Sequence, residues 1–301
     1  MNILLFGANG QVGWELQRAL SPLGAVTALD HARADLEQPV TGIIERVRPD
    51  VIVNAAAYTA VDQAESEPAR ATRINAMAVG EMARAAAALD AVLVQYSTDY
   101  VFDGEKDGAY EVDDATDPLS VYGQSKLAGE AAIRAISGCR HLIFRTSWVY
   151  ALRGRNFART MLERAAKMER LQVVADTVGV PTSAELIADV TALALYRTRR
   201  GGHADKKDAG AGLWGTYHLV PGGQTTWHEY ACYLIDEARS AGLPIRVAPA
   251  DIAPVPSSAF PAPARRPRNS RLANHLLAER FHLQLPDWRW HVRRLVRQIA
   301  G

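Results

Sequence analysis

The sequence begins MNILLFGANGQVG (residues 1–13), and this stretch is the most informative about the fold. NILLF (2–6) is a continuous apolar run typical of a buried strand, and glycines at G-x-x-G-x-x-G spacing separate it from a helical pattern. Such glycines let the turn approach a pyrophosphate, and the helix N-terminus supplies amides to it. An ordinary glycine turn is the alternative. The residues expected to hold a nicotinamide dinucleotide are Gly7, Asn9, Gly10, Gln11, Val12 and Gly13.

Further apolar runs repeat the pattern. Strand-like segments at 25–29, 50–56, 91–98 and 141–147 alternate with helical stretches. Continuous apolar strands that alternate with helices indicate a parallel sheet covered on both faces. We therefore predict an α/β fold, a Rossmann-type doubly wound parallel sheet with a smaller C-terminal substrate-binding lobe.

The regular alternation of apolar strands and helices ends after about residue 148. We predict a nucleotide-binding domain at 1–150, to which strands and a helix return from about 176–220, and an intertwined, mainly substrate-binding lobe at 151–301. The Gly-rich segment 201–212 predicts a mobile surface loop. The Pro-rich segment 255–269 argues against regular structure there.

Composition excludes several classes of function. The formal net charge of +1 gives no general field for nucleic acid or an anionic membrane. No apolar run approaches the roughly 18 residues that span a bilayer, and the first residues lack the basic start of a signal peptide. Cys139 and Cys232 form neither a disulfide framework nor a metal cluster. We expect a soluble, cytoplasmic protein.

Polar residues follow the second predicted strand. Asp30 ends that strand at the distance from the glycine loop where a carboxylate takes ribose hydroxyls, which favours NAD. His31 and Arg33 come next and suit a 2′-phosphate, so the choice between NADH and NADPH stays open. Asp35 and Leu36 fall either beside the adenine or in a plain loop.

VYGQSKLAGE (121–130) places Tyr122 and Lys126 one helical turn apart. A lysine at that distance can stabilise a phenolate, which an unperturbed tyrosine of pKa about 10 rarely forms near pH 7. Alone, the pair reads as an ordinary turn of an amphipathic helix. Beside the glycine loop and YSTDY (96–100), the pair favours a nicotinamide-dependent reductase over an ordinary helix turn.

These features together resemble the extended short-chain dehydrogenase/reductases. The blocks VIVNAAAYTAVDQAESEP, YSTDYVFDG, VYGQSKLAGE, HLIFRTSWVYA and PARRPRNSRL, with the N-terminal motif, are similar more narrowly to the dTDP-4-dehydrorhamnose reductase family, from residue 1 to about 290. The resemblance implies NADPH- or NADH-dependent reduction of the C4 ketone of dTDP-4-dehydro-L-rhamnose to dTDP-L-rhamnose. That reaction is the last step of dTDP-rhamnose biosynthesis, which serves surface polysaccharide such as lipopolysaccharide.

The resemblance also implies roles for particular residues. Tyr122 donates the proton, Lys126 tunes it and holds the nicotinamide ribose, and Thr98 polarises the carbonyl. Asn75 matches a helix asparagine that supports a water-linked proton path, or else bonds only backbone. Additional cofactor contacts are expected from Ala55, Ala56, Ala57 and Tyr58.

Substrate contacts are expected from three segments. Tyr100 and Trp148 follow two strand ends, where aromatic rings contact the sugar or else pack the lobes together. Asp99 adjoins them. The loop 265–271 carries four arginines, of which one or two reach the diphosphate unless the loop is only a solvated basic surface. From this loop we select Arg268 and Asn269.

The sequence also raises the questions of a metal site and of two alternative functions. Some family members hold magnesium between two subunits; Glu15 and Glu185 match two of the carboxylates, but Gln298 stands at the third position. We therefore assign no metal ligand and leave Mg²⁺ and a homodimer open. The alternatives are a non-catalytic NADP-binding regulatory subunit of a partner enzyme and a sugar-nucleotide epimerase or dehydratase.

Overall fold

The computed structural model describes residues 1–200 and 212–301, without the side chains of residues 199 and 200. The described strands are β1 (Asn2–Phe6), β2 (Ala25–Leu29), β3 (Val51–Asn54), β4 (Val92–Thr98), β5 (Arg140–Thr146), β6 (Val149–Tyr150), β7 (Leu171–Val174), β8 (Val178–Gly179), β9 (Thr182–Ser183), β10 (Gly215–His218), β11 (Thr225–Thr226) and β12 (Ile252–Val255). The described α-helices are α1 (Gln11–Leu20), α2 (Thr41–Val47), α3 (Val61–Ala64), α4 (Pro68–Thr72), α5 (Ala78–Ala88), α6 (Val121–Arg134), α7 (Phe157–Lys167), α8 (Ala184–Arg200), α9 (Trp227–Ser240), α10 (His275–Arg280) and α11 (Trp288–Ala300).

A six-stranded sheet forms the centre of the molecule. Its order is β10-β5-β4-β3-β1-β2, and every neighbouring pair is parallel. All residues of β3 and β4 are buried, as expected when helices cover both faces. The predicted doubly wound parallel sheet is confirmed. Strand order reverses between β1 and β3, which is where such sheets bind ligands.

Successive residues of β1 supply two separate cores. Ile3 and Leu5 pack with α1 and α8, whereas Leu4 and Phe6 pack with α2 and α5. This period of two follows from the alternation of side chains along a strand. The two helical layers pack on opposite faces of the sheet and so hold the strand ends that border the cleft.

Smaller elements build a second lobe over the carboxyl ends of the strands. β7 pairs with β12, β8 with β11 and β6 with β9, while α7, α9 and α11 surround a core that contains Tyr230 and Trp288. β10 and α8 return to the large sheet and its helical layer. The division at residue 150 stays a prediction.

Several details differ from the sequence expectation. One of the helical stretches predicted between the strands is α4 and α5 joined by a π-helical turn, Arg73–Met77. The elements β12, α10 and α11 were not predicted, and 255–269 holds a short 3₁₀ turn at Ser257–Ala259. The loop predicted at 201–212 lies outside the described residues except for Gly212. Among the described helices, none has the length and apolar character needed to cross a bilayer.

Candidate active site

A cavity of about 930 Å³ opens beyond the ends of β1, β3, β4 and β5. Gly13, Asp30, Arg268 and Asn269 are absent from its lining. The other residues selected from the sequence line it, namely Gly7, Asn9, Gly10, Gln11, Val12, Asp35, Leu36, Ala55, Ala56, Ala57, Tyr58, Thr98, Asp99, Tyr100, Tyr122, Lys126 and Trp148.

The glycine loop fits tightly between two strand ends. Gly7 has a positive φ of 81°, and a Cβ on it would lie 2.6 Å from the backbone nitrogen of Ala56. A Cβ on Gly13 would lie 2.0 Å from the carbonyl oxygen of Gly7. Gly13 therefore lets α1 pack against the loop even though it does not line the cavity. The first turn of α1 has no acidic residue or side-chain cap, so its amides suit a phosphate group.

Asp30 supports the loop from beside the cavity. Its Oδ2 accepts a hydrogen bond from Nδ2 of Asn9 at 3.0 Å. Arg33, one of the candidates for a 2′-phosphate, donates from Nη1 to the carbonyl of Ala28 at 3.3 Å. His31 lines the cavity with its Nδ1 3.6 Å from Oδ1 of Asp35. These contacts do not distinguish NADH from NADPH.

The start of α6 carries Tyr122 and Lys126 into the cavity. Ser120 caps this helix, accepting a hydrogen bond from the amide of Gly123. The Lys126 ammonium is buried and donates to the carbonyl of Tyr96 at 2.6 Å. Burial lowers the pKa of Lys126 to about 8, against the opposing effect of Glu130. Lys126 therefore loses its charge just above neutral pH.

The other acid–base groups lie at the end of β4. Oγ1 of Thr98 donates to Oδ1 of Asp99 at 3.0 Å and accepts from the amide of Tyr100 at 3.1 Å. Desolvation and then the charge of Asp99 raise the pKa of Tyr122 to about 12, while a hydrogen bond with Thr98 lowers it. At neutral pH Tyr122 thus keeps its proton. The hydroxyls of Thr98 and Tyr122 are neighbours and can both face a carbonyl oxygen.

Aromatic rings form the wall opposite the glycine loop. Tyr100 meets Tyr122 edge to face, with centroids 5.7 Å apart. Trp148 has a positive φ of 45° and stacks on Trp227 with centroids 3.6 Å apart. A Cβ on Gly179 would lie 2.7 Å from the Trp148 ring. A tryptophan backbone in this region is strained and persists only where packing enforces it, which is typical of functional sites.

Asn75 and Asn269, which the sequence suggested as site residues, lie outside the cavity lining and form hydrogen bonds with backbone groups. The amide of Asn75 bonds both backbone groups of Tyr58 and the hydroxyl of Ser125. Asn269 donates to the carbonyls of Lys106 and Gly108. Its contact with a substrate, like that of the exposed Arg268, stays a prediction.

Comparison with known proteins identifies the family to which the chain belongs. The model of the RmlD substrate binding domain matches residues 1–300. A dTDP-4-dehydrorhamnose reductase of Shigella flexneri is 52% identical, with 99% of this chain and 98% of that protein covered. The chain belongs to the dTDP-4-dehydrorhamnose reductase family. The family member from Burkholderia thailandensis is 49% identical over the whole of both chains. The family structure from Bacillus anthracis, in complex with NADP, has a TM-score of 0.85 at 32% identity and covers 97% of each chain.

The magnesium position of some reductases in this family does not fit the residues of this chain. Oε2 of Glu185 pairs with Nε of Arg294 at 2.7 Å, and Oε1 accepts from Nε2 of Gln298 at 3.0 Å. Glu15 pairs with Arg18. A guanidinium and an amide thus take the carboxylate oxygens that a cation would need. Across residues 1–200 and 212–301, no group of three or more acidic, His or Cys residues is arranged to hold a metal ion.

The structure adds lining residues that the sequence reading missed. Trp227 is the clearest case, because it begins α9 in the second lobe and only the tertiary packing brings it to the cavity. Thr146 ends β5 opposite Thr98 and Ser147 follows it, and the register of parallel strands could have indicated both. Arg70 reaches the cavity from α4, and its pairing with Glu37 is visible only in three dimensions.

Proposed function

We propose that this chain reduces the C4 ketone of dTDP-4-dehydro-L-rhamnose to dTDP-L-rhamnose with NADPH or NADH. One observation carries the proposal: Thr98, Tyr122 and Lys126 line the same cavity as the glycine loop. The names of relatives at 49% and 52% identity support the substrate. NADP in the related structure supports the cofactor.

The glycine loop and the α1 N-terminus would hold the cofactor's diphosphate, and Ala55–Ala57 would allow its close approach. The reduced nicotinamide would supply a hydride to the ketone carbon. Lys126 would orient the adjoining ribose. The tight contact of the loop with Ala56, which leaves no room for a side chain at Gly7, supports the close approach to the diphosphate.

The charge that develops on the carbonyl oxygen is met by two hydroxyls. Thr98 donates a hydrogen bond to this oxygen, and Tyr122 transfers its proton to it. The raised pKa of Tyr122 ensures that this proton is present at neutral pH. Lys126, protonated below about pH 8, stabilises the phenolate that remains. Solvent then restores the proton of Tyr122.

Trp148 and Trp227 supply an apolar surface beside this centre. A 6-deoxy sugar carries a methyl group that favours such a surface over water. Arg268 remains a proposed partner of the diphosphate.

The test is a direct assay. The purified chain is incubated with dTDP-4-dehydro-L-rhamnose and either NADPH or NADH, and the absorbance of the reduced nicotinamide is followed. We expect it to fall with at least one cofactor and dTDP-L-rhamnose to accumulate. No consumption with either would refute the proposal. Co-purification of an inactive chain with a larger enzyme would instead support the regulatory-subunit alternative, and tightly retained NAD would support an epimerase or dehydratase.

We also propose that the protein acts in the cytoplasm as a homodimer. The thiols of Cys139 and Cys232 are both free, as in a reducing compartment. Trp14, Leu152 and Trp290 expose about half of their surface on elements around Glu185, which suits an interface. Light scattering in solution tests the mass of the assembly.

A further inference from the structure

Thr98 has one hydroxyl proton, and two acceptors need it. In the structure Oγ1 of Thr98 donates this proton in a hydrogen bond to Oδ1 of Asp99, 3.0 Å away. The proposed reduction requires the same hydroxyl to donate its hydrogen bond to the carbonyl oxygen of the substrate. A hydrogen bond to a carboxylate is about twice as strong as one to a neutral carbonyl. An ionised Asp99 therefore holds Thr98 away from its proposed role.

We propose that Asp99 is a positioning residue that works in its protonated form. Its O–H then donates to Oγ1 of Thr98, which leaves the threonine proton for the ketone. Oγ1 still accepts from the amide of Tyr100, so that both of its lone pairs are used. Asp99 transfers no proton in the reaction. This inference rests on the proposed function.

The surroundings of Asp99 favour the neutral acid. The residue is 3% exposed, and its Oδ2 is buried without a hydrogen-bond partner among the described residues. The titratable groups that face it are the phenols of Tyr100 in its own turn and Tyr122 on α6. The hydroxyl of Ser270 approaches from the second lobe. Within 1–200 and 212–301, no lysine or arginine forms an ion pair with it.

Burial raises the pKa of Asp99 to about 6, although the nearby hydroxyl of Ser270 and the hydrogen bond from Thr98 oppose the rise. A bound nucleotide sugar adds negative charge and excludes water, and both raise the pKa further.

Protonation of Asp99 also helps the proton donor. The Asp99 charge is one cause of the raised pKa of Tyr122. Neutral Asp99 removes this contribution and makes Tyr122 a stronger acid. The two effects act in the same direction, so turnover falls as Asp99 ionises.

The experiment compares pH profiles of kcat for the wild type and Asp99→Asn from about pH 5.5 to about 7.5, below the range where Lys126 loses its charge. We expect wild-type kcat to fall with rising pH, approaching tenfold per unit above the apparent pKa. In Asp99→Asn the amide nitrogen can donate to Thr98 at every pH, so kcat should vary by less than about twofold. In Thr98→Val, adding Asp99→Asn should not restore activity.

Asp103→Asn is the matched control. Asp103 lies in the same segment, but a hydrogen bond from Tyr110 lowers its pKa and keeps it ionised. This variant should retain the wild-type profile. An Asp99→Asn profile that follows the wild type would overturn the inference.

A second readout needs no turnover. The infrared C=O band of a protonated carboxyl should titrate in the free wild-type protein and be missing from Asp99→Asn. If the ketosugar is not reduced at all, the proposed function fails while this band still reports on Asp99. Absence of the band at pH 5 would refute the protonated form.

Discussion

At the scale of the residue, burial decides which proton each group holds. Lys126 is buried among the ends of β4 and α6 and is charged only below about pH 8. Tyr122 is kept protonated at neutral pH by a pKa of about 12. The sequence spacing predicted that Lys126 would tune Tyr122. In the structure, its Nζ is bonded to the carbonyl of Tyr96, so this tuning stays a prediction.

The pH dependence of turnover tests the charge of Lys126. Below about pH 8 the ammonium is protonated and stabilises the phenolate of Tyr122; as pH rises through 8 that charge is lost. In Asp99→Asn, where ionisation of residue 99 no longer lowers turnover, kcat should therefore decline only on the alkaline side of about pH 8. Adding Lys126→Met should make turnover slower and remove this decline. Adding Lys106→Met instead, which removes a loop lysine paired with Asp114, should retain it. A decline that persists after Lys126→Met is added would assign it to another group.

At the scale of the element, one buried carboxylate joins α6 to the sheet. Glu130, one turn beyond Lys126, accepts from Nε and Nη2 of Arg145 on β5 and from the hydroxyl of Ser97 on β4. Arg134 reaches it from the solvent side. These contacts fix the helix that carries Tyr122 and Lys126 against the strand that carries Thr98.

Removing the buried partner should be far more costly than removing the exposed one. Arg145→Met leaves the fully buried Glu130 carboxylate without its main cation, so we expect a loss of about 3–5 kcal/mol in the free energy of unfolding. Arg134 is 43% exposed, and Arg134→Met should cost under about 1 kcal/mol. Urea unfolding measures both. Equal losses would contradict this account of the pair.

The sequence predicted elements best where local pattern and fold agree. Close contacts between a strand, a turn and a helix require glycine at positions 7 and 13. The spacing of these glycines was therefore enough to predict this part of the fold. The π-helical turn at Arg73–Met77 was not predictable, because its residues also suit an α-helix. Trp227 comes from a different lobe and meets Trp148 only through tertiary packing. The raised pKa of Asp99 depends on burial, which the spacing of residues in the sequence does not show.

At the scale of the whole molecule, the second lobe completes the cavity that the sheet begins. Trp227 and the loop around Gly154 meet the glycine loop and α6 across it. Nδ2 of Asn156 donates to Oε1 of Gln11 at 2.9 Å, which ties the second lobe to the cofactor loop. The resemblance read from sequence blocks along the chain is confirmed by the family match over residues 1–300.

Removal of metal should leave the molecule unchanged. Arg294 and Gln298 occupy the carboxylate oxygens of Glu185, so a divalent cation has no open site there. We expect turnover and the mass from light scattering to be the same with a chelator as with added magnesium. Loss of activity or of mass on chelation would show that a metal displaces Arg294 in solution.

Tyr122 is the proposed proton donor of the ketone reduction, and its hydroxyl can be removed without changing the ring. Tyr122→Phe removes only its hydroxyl and keeps the ring that meets Tyr100. With dTDP-4-dehydro-L-rhamnose and the preferred cofactor, we expect kcat to fall by about 100-fold or more, while cofactor affinity, measured by nicotinamide fluorescence, changes by less than about twofold. Near-normal turnover in Tyr122→Phe would contradict the account.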